Sequence, residues 1–68
     1  MNHTVYDPAH MRTLKTAFAR ADRAYERACD KYGDYPTERN AQVEMRTHDL
    51  RTEALRDLIA YELIAQEN

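Results

Sequence analysis

The sequence predicts an all-α fold: an antiparallel two-helix hairpin that assembles into a homo-oligomeric helical bundle. Three observations carry this. Apolar side chains recur at Met11, Leu14, Phe18, Ala21, Tyr25, Ala28 and Tyr32, alternately three and four residues apart, which is a heptad stripe along one helix. Gly33-Asp34-Tyr35-Pro36 is the one convincing turn signal. A second stripe follows it at Val43, Thr47, Leu50, Ala54, Leu58, Tyr61 and Ala65. With 68 residues there is room for one domain, so residues 1–68 form a single helical-hairpin unit.

Residues 1–6 read as a short arm. Asp7-Pro8 then starts the first helix, with Asp7 as N-cap and Pro8 at the first helical position, where its missing N–H costs nothing. No Gly or Pro interrupts the chain until Gly33, so this helix covers about residues 8–32. Gly33 suits the left-handed conformation that often ends a helix. Pro36 bars a helical Tyr35 and completes a turn over residues 33–36. So short a connection makes the two helices antiparallel neighbours.

The second helix covers about residues 37–66, with Thr37 or the Pro36 ring setting its start. It is lopsided. Residues 37–49 carry few apolar side chains, whereas Leu55, Leu58, Ile59, Tyr61, Leu63 and Ile64 surround most of its later turns. One stripe faces the first helix. Leu55, Ile59 and Leu63, four residues apart, then point elsewhere and require a partner. A second copy of the chain is the expected one. A core in so short a chain seldom supplies more than about 3–5 kcal/mol, which gives a second reason to expect oligomers.

Composition narrows the function. Charged residues make up 32% of the chain and no apolar run approaches a membrane span, so no membrane partner is expected. The first seven residues lack the basic and apolar regions of a signal peptide. The single Cys29 can form no internal disulfide, which points to a reducing, cytoplasmic address. A net charge of −2 argues against a protein that coats a nucleic-acid polymer.

Candidate chemistry is sparse. Arg12, Arg20, Arg23, Arg27 and Lys31 share the side of the first helix opposite its stripe. They could follow a phosphate backbone, but Asp22, Glu26 and Asp30 lie beside them, as on an ordinary solvated face. Around the turn, Tyr32, Tyr35, Arg39, Arg46 and Thr47 combine aromatic faces, guanidinium forks and a hydroxyl, the groups that hold a planar base and its phosphate. Glu44 and His48 miss by one residue the Glu-x-x-His spacing of di-iron bundles, so no metal is expected. Cys29 beside the stripe reads as a small half-buried packer. No nucleophile-base grouping, glycine-rich loop or carboxylate pair is present, so neither catalysis nor a cofactor is expected.

Tyr35-Pro36-Thr37-Glu38-Arg39, Arg46-Thr47-His48-Asp49-Leu50 and Glu53-Ala54-Leu55 together resemble the helical-hairpin domain of phage anti-CBASS proteins, the cyclic-nucleotide sponges. The resemblance implies a small non-enzymatic phage-type protein, working in the host cytoplasm, that sequesters a cyclic di- or trinucleotide between subunits. It implies Arg39, Arg46 and Thr47 on phosphates and Tyr32 and Tyr35 on bases. The alternative is a protein-interaction module that occludes a partner protein, with Leu55, Ile59 and Leu63 as its contact surface. A third reading, a small nucleic-acid-binding hairpin, would depend on the basic strip of the first helix.

Overall fold

The computed structural model describes residues 5–67. Two helices account for nearly all of them, α1 (Pro8–Asp34) and α2 (Glu38–Glu67). Contacts between them run in opposite order along the chain: His10 meets Tyr61, Asp22 meets Arg51, and Tyr25 meets His48. The helices are therefore antiparallel. The hairpin is long and thin, with principal extents of 51 × 19 × 13 Å.

The start of α1 follows from two residues. Asp7 is extended (φ −120°, ψ 112°) and its Oδ1 accepts from the Ala9 N–H at 3.0 Å. Its carbonyl accepts the first helical bond from Met11, and Pro8 occupies the first turn without wasting a donor.

The end of α1 differs from the left-handed glycine expected there. The helix runs through Gly33 to Asp34, and Gly33 keeps a negative φ. The stop comes two residues later, at Tyr35 (φ −134°, ψ 86°), because Pro36 excludes a helical conformation from the residue before it. The Tyr35 N–H still donates to the Lys31 carbonyl at 2.8 Å, so the last turn closes. The turn is correspondingly shorter and later than residues 33–36.

Pro36 is the centre of a tight three-residue turn in which the Thr37 N–H donates to the Tyr35 carbonyl at 2.8 Å. Thr37 then caps α2: its Oγ1 accepts from the Asn40 N–H at 3.1 Å, and its carbonyl accepts from Ala41. The Asn40 amide adds a bond from Nδ2 to the Tyr35 carbonyl at 2.7 Å, tying the new helix to the turn.

Packing is uneven along the hairpin. Among the described residues, Met11, Ala28, Leu58 and Tyr61 are buried. Three of them, Met11, Leu58 and Tyr61, cluster at the end away from the turn, with Tyr6, Leu14, Phe18, Ile64 and Ala65 half-buried around them. The α1 stripe faces α2 as its spacing predicts, although Tyr32 at its end is exposed.

The α2 stripe departs from expectation in its first half. Val43 and Leu50 are 41% and 53% exposed. Thr47 faces inward as the stripe predicts, but Arg51 takes the place expected of Leu50, ahead of Ala54, Leu58, Tyr61 and Ala65. Arg51 explains the rotation. Its Nε donates to Asp22 Oδ1 at 2.6 Å, and its guanidinium lies 5.2 Å from the Phe18 ring centre. A charge-assisted bond and a cation–π contact fill a place that a leucine would otherwise take. Both side chains of the pair remain about a third exposed (33% and 35%), so it stabilises by no more than about 1 kcal/mol.

Candidate functional site

The turn end of the hairpin holds the residues that sequence spacing singled out. Tyr32 closes the α1 stripe and is 36% exposed; Tyr35, in the turn, is 65% exposed. Arg39 and Arg46, both exposed, stand seven residues apart, which at about 100° per residue puts them on nearly one line of α2. Among the described residues no ion pair engages either arginine.

Thr47 points elsewhere. It is half-buried toward α1, and its hydroxyl is within donating distance of the Val43 carbonyl at 2.9 Å and the Glu44 carbonyl at 3.0 Å. A hydroxyl that back-bonds to its own helix has no proton to spare for a phosphate. One chain therefore brings Tyr32, Tyr35 and Arg39 to the same end of the molecule but leaves Thr47 apart from them.

Two shallow hollows lie away from these residues. One, of about 320 Å³, opens beside the core, between His10, Leu14, Asp57, Ala60, Tyr61 and Ile64. Another, on the outer side of α1, is lined by Arg12, Thr13, Thr16 and Arg20. Neither includes Tyr32, Tyr35, Arg39, Arg46 or Thr47. The cations of that outer side, Arg12, Arg20, Arg23, Arg27 and Lys31, form no ion pair among the described residues.

Tyr25 connects the two helices near the turn. Its ring stands edge-on to His48, with centres 5.4 Å apart. Its phenol is raised above the ordinary tyrosine value, first by its hydrogen bond and charge interaction with Cys29. Slight burial and the Glu44 carboxylate push the same way, while Arg51 opposes them. Cys29 is half-buried, in the packing position its place beside the stripe predicts. Among the described residues no three His, Cys, Asp or Glu side chains gather as a metal site would require.

The second apolar side of α2 is the larger feature. Leu55 is half-buried at its edge, while Ile59 and Leu63 are 49% and 55% exposed. Met45, 67% exposed, belongs to the same side. It precedes Leu63 by eighteen residues, which is five whole turns. Met45 was not anticipated, although its seven-residue spacing to Thr52 and Ile59 was readable. Nor did spacing reveal the Tyr61 hydroxyl, which accepts from the Asp7 N–H at 2.6 Å across 54 positions of sequence.

No protein-family model, curated protein or solved structure matches the chain.

Proposed function

We propose that this chain is a non-catalytic association module whose working surface is the free side of α2. One observation carries the reading: Ile59 and Leu63 are half exposed on a helix whose other side already supplies the core residues Leu58 and Tyr61. A thin hairpin has no internal use for a second apolar side, and such a surface in water is ordinarily a contact site. The test is photo-crosslinking in cells, with a photoreactive residue placed at position 59 or 63 and, as a control, at the exposed position 23. Adducts confined to 59 and 63 are expected. Their absence there, or equal yield at 23, would sink the reading.

Sequestration of a cyclic nucleotide is a second reading, favoured by the exposed rings of Tyr32 and Tyr35 beside Arg39 and Arg46, which no carboxylate among the described residues engages. Because these groups line neither hollow described above, a ligand would be enclosed between copies. Native mass spectrometry with a panel of cyclic di- and trinucleotides tests it. Whole-ligand mass shifts lost on Arg46→Ala would support it; an unshifted spectrum would remove it.

A further inference from the structure

Resting on the docking role of α2, we infer that the occupant of its free side is a second copy of this chain, bound as a closed two-fold dimer through α2. Area is the first argument. A compact monomer of 8.0 kDa exposes about 4,500 Å², whereas this hairpin exposes 5621 Å², an excess on the order of 1,000 Å². Removing that excess from each of two copies would bury about 2,000 Å² in total, the size at which obligate homodimer interfaces begin.

The pattern on the helix is the second argument. Met45, Thr52 and Ile59 fall seven residues apart, with Leu55 and Leu63 beside them, so the strip forms a seam about 27 Å long at the usual helical rise. A seam of that period is what one straight helix offers another. The same chain supplies a matching seam in every copy, and an isologous contact needs nothing more.

The core supplies the third argument. Among the described residues only four side chains are buried, and none is below 2% exposure, so a lone hairpin has little to hold its helices together.

Sedimentation equilibrium of the purified full chain, with circular dichroism melting over a hundredfold range of concentration, tests the inference. The expected results are a dimer mass and a melting midpoint that rises with concentration, since only the associated state would hold the extra contacts. Ile59→Glu combined with Leu63→Glu should weaken the dimer about a hundredfold or more. Val43→Glu with Leu50→Glu, about as exposed but on the opposite flank of α2, should leave it intact. If the first pair also unfolds the chain, the wild-type concentration dependence and the second pair still decide. A helical monomer whose midpoint ignores concentration overturns the inference but leaves α2 free for a foreign protein. A dimer broken by the Val43/Leu50 pair and not by the Ile59/Leu63 pair overturns the inference and the docking role of this face together. A larger assembly would overturn the closed dimer alone.

Discussion

Tyr61 does more at the residue scale than its place in an apolar stripe foretells. Its ring is buried against Met11 and Leu58, lies 5.8 Å from the Tyr6 ring and stands edge-on to His10 at 4.6 Å. Its hydroxyl accepts the Asp7 N–H, so one side chain anchors the start of α1 to the far end of α2. Tyr61→Phe keeps the ring and loses the bond. It should cost about 1 kcal/mol in chemical denaturation and leave the Asp7 amide open to hydrogen exchange. An unchanged exchange rate at Asp7 would show that the bond does not hold the arm. Tyr25 gives a second residue-scale test. Its raised phenol means that the folded state holds that proton more tightly than the unfolded chain does. The contribution is fully present below the ordinary tyrosine value near 10 and is lost as pH rises beyond it. Ultraviolet titration should show one tyrosine ionising late, and Cys29→Ala should bring it down; no movement would exclude the thiol as the cause. Heptad spacing placed both tyrosines on the inner side of their helices. Their polar partners, 54 residues away for Tyr61 and set by side-chain conformation for Tyr25, could not be read from spacing.

At the scale of elements, the two helix starts were legible because capping is local. Asp7-Pro8 and Thr37 need only their next few residues to satisfy free N–H groups. The end of α1 was less so, because two stop signals stand three residues apart and only one operates. Pro36 acts through a steric clash that strongly disfavours a helical residue before it, whereas Gly33 is merely permitted to turn left-handed and does not. The distinction has a sign. With an ordinary φ and nothing within 4 Å of an added Cβ, Gly33→Ala should stabilise the hairpin by about 0.5 kcal/mol, read as a higher melting midpoint. Destabilisation would restore the left-handed glycine. In α2, the stripe drawn through Val43 and Leu50 ranked side chains by hydrophobicity. Thr47 kept its expected inner place, but Arg51 took the inner side instead of Leu50, because Asp22 and the face of Phe18 give the guanidinium a partner on α1.

At the scale of the whole molecule, the shape is the main finding. Two helices side by side can bury only one strip each, and the 19 × 13 Å cross-section leaves the rest of α2 in solvent. The core gathers at the end away from the turn, so the turn end is held by Ala28, the Tyr25–His48 contact and the Arg51–Asp22 pair. Local opening should follow this gradient. Native-state hydrogen exchange is expected to be slowest around Met11, Leu58 and Tyr61 and fastest across residues 32–44; the opposite order would contradict the packing. Among the described residues, no helix is long and apolar enough to cross a membrane.

Taken by itself, the sequence determined the two helices, their N-terminal starts, the proline stop and the surplus of apolar residues late in α2. These rest on local sterics, hydrogen bonding and a period of 3.6 residues, all written in neighbouring positions. Only the tertiary structure decided that Arg51 and not Leu50 turns inward in the first half of α2, and that Tyr61 ties down the start of α1. These depend on whether Arg51 meets Asp22 and Phe18, and on whether the Tyr61 hydroxyl reaches Asp7, contacts between residues far apart in the chain. Once Leu58 and Tyr61 face α1, geometry leaves Met45, Ile59 and Leu63 outside, because one helix can show a neighbour only one side at a time.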